Sequence, residues 1–256
     1  MVPEIQPSSK VNNEIYNHYG DRWYTAFDDP VALLRAESRT KIPWVLEKLY
    51  ASGLPFGSAL LDVGCGAGFM SNAFAVEGFQ VTGVDLSEES LEVARRFDST
   101  KTVRYLTADA LHLPFPDGHF DAVLAMDFLE HVEAPEQVIR EISRVLRPGG
   151  LFFFHTFNRN WLSHVVVIKL VEKFVKNTPP NMHVIELFLK PQEVRQACQN
   201  AGLQTREIVG LRPVLSSIPF KNYRSGVVPS SLRFKITKST WLRPWTQMIW
   251  LLRKGF

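Results

Sequence analysis

Cysteine is scarce in this chain: only Cys65 and Cys198 occur among its 256 residues. They lie far apart and form no C-x-x-C pair, which argues against a structural zinc site. Two isolated cysteines are typical of a protein kept in a reducing compartment, so we expect a cytoplasmic location.

Long hydrophobic runs are also lacking. No stretch of about 18 uncharged apolar residues is present, which is the length that a helix needs to span a bilayer. The opening residues, MVPEIQPSSKVNNE, have no apolar core of the kind that marks a secretory signal. With 45% hydrophobic residues the chain can bury a full core, and its length suits one domain with appendages.

Acidic residues are missing from the C-terminal segment. Residues 208–256 contain nine Lys or Arg and no Asp or Glu, whereas the first 207 residues contain 20 basic and 26 acidic side chains. This asymmetry indicates an anionic partner surface, such as lipid headgroups or nucleic acid, or else a basic segment that is merely solvated. No recognised nucleic-acid module is present, so we expect no nucleic-acid partner and favour peripheral contact with the inner face of a membrane.

Short apolar runs alternate with helical patterns through the middle of the chain. Five runs predict strands: SALLDVG (58–64), QVTGVD (80–85), VRYLTAD (103–109), FDAVLAMD (120–127) and LFFFHTF (151–157). Continuous apolar strands separated by helices indicate an α/β fold with a doubly wound, mostly parallel sheet. A further helix, PQEVRQACQNAG, and a strand, LQTREIVGL, follow, and WTQMIWLLRKGF predicts a last, antiparallel strand.

The pattern also suggests a division of the chain. Residues 1–52 form a helical N-terminal cap, and residues 53–256 form the main domain. Within the main domain we expect an insertion at about 161–190, after the fifth strand, and the basic C-terminal segment at about 208–256.

The insertion begins with a helix-like stretch that has an apolar face and a lysine face, the latter formed by Lys169, Lys173 and Lys176. Such a helix can lie in a membrane interface, cover a substrate as a lid, or pack in the core. Trp241 and Trp245 are further candidates for interfacial anchoring.

A glycine-rich loop follows the first strand. LDVGCGAGF places Gly64, Gly66 and Gly68 where backbone amides can approach a ligand closely. Asp85, 17 residues after Gly68, is placed to accept from ribose hydroxyls, and Asp109 follows the third strand, where it could accept from an adenine amino group. The loop is one residue shorter than the G-x-G-x-x-G of dinucleotide sites. The alternative is a tight turn whose glycines serve only packing.

The segment AMDFLEHV carries Asp127, Glu130 and His131 at the end of the fourth strand. Their i, i+3, i+4 spacing would place all three on one side of a helical turn, where they could hold a divalent cation. His131 could instead act as a general base on a hydroxyl. A third interpretation is structural: Asp127 and Glu130 would cap a helix in a D-x-x-E box.

His155 and Asn158 follow in and after the fifth strand. They could border the substrate, but a histidine in an apolar strand more often has a satisfied structural role.

Over about residues 56–158, four motifs resemble, in order, those of class I S-adenosylmethionine-dependent methyltransferases: LDVGCGAG, VTGVDLS, ADALHLPFPDGHFDAVLAMDFLEHV and LRPGGLFFFHTFNRN. Four local signatures are similar to those of the O-methyltransferases of ubiquinone biosynthesis: LDVGCG, LEHV, NRN and the H-x(6)-KP run from His183 to Pro191. This second resemblance extends over about residues 35–212. The resemblance implies a Rossmann-like sheet of seven strands and a methyl transfer to a phenolic hydroxyl of a prenylated phenol or catechol.

The resemblance also implies site residues. Asp127, where the family has glutamate, would bind Mg²⁺ with Glu130 and His131, and catalysis would fall to His131 and Asp127. The cofactor would be S-adenosylmethionine, and its site would comprise Arg39 (with Arg35 as the nearby alternative), Asp62, Gly64, Gly66, Gly68, Asp85, Leu86, Asp109, Ala110 and Met126. Two alternatives remain open: methylation of another small molecule or lipid, and a non-catalytic lipid-binding module. No oligomeric state is implied.

Overall fold

The computed structural model describes residues 13–165, 169, 175–179, 184–217, 226–238 and 246–255. Its helices are α1 (Arg22–Thr25), α2 (Val31–Ala51), α3 (Phe69–Val76), α4 (Glu88–Phe97), α5 (Pro135–Val145), α6 (Trp161–Ser163) and α7 (Pro191–Asn200). Its strands are β1 (Ala59–Val63), β2 (Gln80–Asp85), β3 (Arg104–Thr107), β4 (Phe120–Met126), β5 (Leu146–Phe157), β6 (Leu203–Pro213), β7 (Phe234–Thr237) and β8 (Gln247–Lys254). Short 3-10 turns include Asn13–His18 and Leu129–His131.

One sheet organises the described residues, with the strand order β3-β2-β1-β4-β5-β8-β6-β7. The first five strands run parallel, and β8 inserts antiparallel between β5 and β6, as the sequence predicts for the tail. The doubly wound α/β fold is confirmed. The sheet has eight strands rather than the predicted seven, because the short β7 pairs with the outer edge of β6.

The core lies on both faces of this sheet. On one face, side chains of α5 and α7 such as Ile142 and Val194 pack against strand residues such as Phe154. On the other, Trp44 and Leu49 of α2 pack with Phe153 and its neighbours. Burial on both faces explains why the strands are apolar throughout rather than alternating.

Among the strand boundaries that differ from the sequence prediction, those of β4 and β5 bear on the site. β4 ends at Met126, so Asp127 lies just beyond it, and β5 begins at Leu146, five residues before the apolar run. The early start reflects pairing of Leu146 with Phe120, followed by a register shift before Ala122 pairs with Leu151. The four residues between these pairings, RPGG (147–150), have no partner in the β4–β5 ladder and form an irregularity within β5.

The insertion is described only in part. Trp161–Ser163 is helical and begins at Asn160, whose side chain accepts a hydrogen bond from the Ser163 amide. Lys173, His183, Trp241 and Trp245 lie outside the described residues. Among the helices of the described part, none combines the length and apolar character that crossing a membrane requires.

Candidate active site

The predicted cofactor residues gather at one edge of the sheet. Because β3, β2, β1 and β4 are parallel neighbours, their carboxyl ends meet at the same edge. Asp109 follows β3, Asp85 ends β2, the glycine loop follows β1, and Met126 ends β4. Leu86 and Ala110 stand beside the two aspartates in sequence. The crevice outside these strand ends is the usual ligand position in open α/β sheets.

The glycine loop needs glycine at each of its three positions. Gly64, Gly66 and Gly68 have φ values of 68°, 51° and 79°, in the left-handed region that other residues rarely adopt. A Cβ on Gly64 would overlap the Phe128 ring, and one on Gly68 would overlap the Tyr105 hydroxyl. Packing therefore explains part of the pattern at Gly64 and Gly68.

Asp85 ties the loop to the end of β2. Its Oδ2 accepts a hydrogen bond from the Gly66 amide at 2.8 Å, and its Oδ1 accepts from the Ser87 amide at 2.9 Å. Burial raises the pKa of this carboxyl, and the backbone donors oppose the rise. Each oxygen has a second lone pair, so the carboxylate can also accept from two ribose hydroxyls. The residues present at this edge therefore fit a nucleoside cofactor.

The N-terminal cap lies against the same loop. The Tyr24 hydroxyl donates to the Ala67 carbonyl at 2.8 Å, and the Trp23 ring lies 3.4 Å from the position of a Cβ on Gly66. The Tyr16 ring stacks on Trp23 and meets the His131 ring edge-on, with centroids 5.9 Å apart. Tyr16 thus connects the glycine loop with the Asp127–His131 segment.

Two predicted cofactor residues make other contacts. Asp62 is buried within β1 and accepts from the Ser71 hydroxyl at 2.6 Å. Arg39 lies two positions before Lys41 on α2, which places it on the opposite side of the helix. It donates to the Ser230 carbonyl and lines a separate cavity of about 700 Å³. Arg35 donates to backbone carbonyls of Trp23 and Ala26.

Asp127 adopts neither local arrangement that the sequence suggested. Its φ of 55° turns the chain sharply after β4, and the following 3-10 turn begins at Phe128 with no side-chain cap. Asp127, Glu130 and His131 therefore do not share one regular helical turn, and no capping box forms. The i, i+3, i+4 spacing brings side chains to one side only where the backbone is helical, and the backbone at Asp127 is not.

The Asp127 carboxylate is bound instead by residues distant in sequence. Both of its oxygens accept from the Lys41 ammonium, at 2.7 and 2.6 Å, and Oδ1 also contacts Nδ1 of His155. Burial alone would raise the pKa of Asp127, but the charge of Lys41 and the hydrogen bonds with Lys41 and His155 outweigh it and hold the pKa below its usual range. Asp127 is therefore an anion at neutral pH.

Glu130 and His131 lie beside this anion in a buried setting. Glu130 is 1% exposed, and burial followed by the charge of Asp127 raises its pKa to about 8. Burial lowers the pKa of His131 to about 4, and Asp127 opposes that shift. At neutral pH the carboxyl is mostly protonated and the imidazole is neutral.

Sequence reasoning missed the two polar residues of α2 that complete the cluster. Glu37 accepts from Lys41 at 2.7 Å, and the Lys41 side chain is fully buried. The only local signal was their i, i+4 spacing, which is equally common on exposed helices. His155 is also fully buried, and its contact with Asp127 gives it the structural role that the sequence favoured. Asn158 is 5% exposed, and its backbone amide donates to the Thr246 carbonyl.

Comparison with known proteins identifies the family. A family model described as a methyltransferase domain matches residues 61–154. The ubiquinone biosynthesis O-methyltransferase of Pseudomonas putida is 38% identical over 175 residues, which cover 67% of this chain and 73% of the relative. The enzyme of the same name from Vibrio cholerae is 36% identical over 204 residues, covering 78% and 82%. The chain belongs to this O-methyltransferase family.

The enzyme is therefore an S-adenosylmethionine-dependent O-methyltransferase, as the motifs implied. Solved structures share its fold at low identity. Magnesium protoporphyrin IX methyltransferase from Synechocystis, solved with bound SAH, gives a TM-score of 0.59 at 18% identity, covering 86% of this chain and 84% of that one. A SAM-dependent methyltransferase from Aquifex aeolicus gives 0.55 at 19% identity, covering 88% and 94%.

Proposed function

We propose that this methyltransferase methylates a phenolic hydroxyl of a prenylated quinone precursor. The observation that carries the proposal is the 36–38% identity to ubiquinone biosynthesis O-methyltransferases, which extends over as many as 204 residues. A match of that length reaches beyond residues 61–154, the part shared with methyltransferase domains in general.

The buried cluster beside the glycine loop suits a phenol. A phenolic hydroxyl has a pKa near 10 and must lose its proton to become a good nucleophile. When bound, S-adenosylmethionine supplies an activated methyl group, so the protein must orient the oxygen and remove its proton. We assign the proton to His131, whose neutral imidazole can accept it. Burial disfavours the imidazolium, and the adjacent Asp127 anion offsets that effect only in part.

We also place the reaction at an anionic membrane surface, since a polyprenyl chain is held in lipid. The basic C-terminal segment supports this placement. Arg212 of β6 and Lys235 of β7 are exposed and stand directly opposite each other in the ladder. The pair lies at one edge of the sheet, where β7 is the last strand. The paired strands β6 and β7 therefore offer a basic edge to lipid phosphates.

The substrate class can be tested with purified protein, S-adenosylmethionine and a catechol carrying a short prenyl chain. We expect a product heavier by one methylene in mass spectrometry, with the new methyl on oxygen. A fatty acid and a sterol serve as parallel substrates, and Asp85→Asn serves as the variant with weakened cofactor binding. Methylation of the fatty acid or sterol with no reaction of the catechol would contradict the proposal.

A further inference from the structure

The polar cluster at Asp127 already contains a cation. Among the described residues, the carboxylate and imidazole donor atoms that lie within 4.8 Å of one another belong to Glu37, Asp127 and His155, not to Asp127, Glu130 and His131. The Lys41 ammonium lies among these donors, 2.7 Å from Glu37, 2.6 and 2.7 Å from Asp127 and 3.2 Å from His155. A positive charge thus occupies the place where a metal ion would sit.

The hydrogen bonds of this ammonium are complete. Its three N–H donors match three carboxylate oxygens, one from Glu37 and both from Asp127. The other Glu37 oxygen accepts from the Gln247 side chain at 2.8 Å. A divalent ion could enter only by displacing this ammonium, whose charge would then be buried without a carboxylate partner. The Mg²⁺ site implied by the family resemblance therefore does not fit the residues of this chain.

Residues of three elements hold Asp127 in place. Lys41 and Glu37 lie one turn apart on α2, His155 lies in β5, and Gln247 begins β8. Asp127 meets them because its left-handed backbone, at φ 55°, is tolerated by aspartate at a modest cost. A strained residue that is fixed by partners from several elements is characteristic of a functional position.

We propose that Lys41 is a positioning residue that takes the place of a divalent metal at Asp127, and that this methyltransferase works without one. Lys41 is too deeply buried to touch a substrate, so it acts through Asp127, whose side chain is 14% exposed. The ammonium fixes the orientation and charge of that carboxylate beside the glycine loop. The inference rests on the assigned methyl-transfer site but not on which phenol is the substrate.

In the first test, Mn²⁺ is added to the wild-type apoprotein, and the free ion is measured by electron paramagnetic resonance. We expect the free Mn²⁺ signal to be unchanged by the protein, and kcat to be the same in excess EDTA as in millimolar Mg²⁺. Stoichiometric Mn²⁺ binding that Asp127→Asn and Glu130→Gln abolish, or loss of kcat in EDTA, would overturn the proposal. The Mn²⁺ titration needs no substrate, so it remains decisive if the proposed phenol proves wrong.

The second test empties the ammonium position. Lys41→Met should lower kcat on the order of 10- to 100-fold, because the Asp127 carboxylate loses the group that orients it. The variant should also gain Mn²⁺ binding at Glu37, Asp127 and His155. Lys41→Arg keeps the charge and should lose less kcat and gain no Mn²⁺ binding. Lys48→Met is the matched control, because Lys48 lies two turns further along α2 and pairs with Glu207 at the surface. Wild-type kcat in Lys41→Met would contradict the positioning role; if that variant does not fold, the wild-type titration decides.

Discussion

Gly64 lies at a positive φ of 68°, directly beneath the ring of Phe128. We expect Gly64→Ala to lose about 1–2 kcal/mol of stability from the left-handed backbone and about 1–3 kcal/mol more from overlap with that ring. Gly53→Ala separates the two effects, since Gly53 has φ 77° but open space around its Cβ position. Urea denaturation measures both. Equal losses in the two variants would show that the Phe128 contact is unimportant.

Asp62 should make the stability of the protein fall as pH rises through the weakly acidic range. Burial raises its pKa to about 7, whereas an unfolded aspartate has a pKa near 3.9. Between these values the unfolded chain has lost a proton that the folded protein keeps, so unfolding becomes easier as pH increases. The slope contributed by this one group is at most about 1.4 kcal/mol per pH unit.

Denaturation with urea across this pH range checks the effect. Asp62→Asn, which cannot ionise, should remove that part of the slope and gain stability relative to wild type as pH rises. Ser71→Ala removes the hydroxyl that donates to Asp62 and should shift the effect to higher pH. An Asp62→Asn variant with the wild-type slope would refute the assignment.

Individual site residues were predictable where the signal is local. The glycines and Asp85 follow from one loop and one strand end, and the structure brings them together at the sheet edge. Lys41 was not predictable, because 86 residues separate it from Asp127 and nothing in the α2 sequence marks one lysine as buried. The backbone turn at Asp127 was equally hidden, since D-x-x-E also suits a helix cap.

At the scale of elements, the Asn13–His18 turn and α1 cover the glycine loop through Trp23 and Tyr24. We expect Tyr24→Phe to speed cofactor association several-fold, because it removes a hydrogen bond worth about 1 kcal/mol that holds this segment down. Stopped-flow tryptophan fluorescence measures the rate. Tyr50→Phe is the matched control, since the Tyr50 hydroxyl donates a hydrogen bond to Glu77 at a site distant from the glycine loop. Identical rates in both variants would mean that α1 does not restrict entry.

The strands and helices of the central domain were predicted well because burial on both faces leaves long apolar runs between helical patterns. Strand β7 was missed for the opposite reason. Phe234–Thr237 has four residues, none fully buried, and is defined by pairing with β6 rather than by a pattern of its own. Short edge strands of this kind have little local signature.

For the whole molecule, charge asymmetry predicts a preferred orientation on a membrane. Replacing Arg212 and Lys235 together by Glu should weaken binding to anionic liposomes by more than about thirtyfold. Loss of two basic residues at about 1 kcal/mol each accounts for thirtyfold, and the new negative charges add repulsion. Arg104→Glu with Arg140→Glu makes the same charge change on the acidic body and should have a smaller effect. Co-sedimentation at low and high salt measures both. A wild-type protein that stays in the supernatant at low salt would exclude the membrane proposal.

The position of β8 has a consequence for synthesis. This strand lies between β5 and β6, yet it follows both of them, and β7, along the chain. As the polypeptide leaves the ribosome, β1 to β5 can assemble in order, but the facing edges of β5 and β6 have no partner until residues 247–254 emerge. Unpaired edges of this kind recruit strands from other chains. A nascent chain that stalls before residue 247 is therefore expected to depend on chaperones, and the sheet is completed only after β8 has been translated.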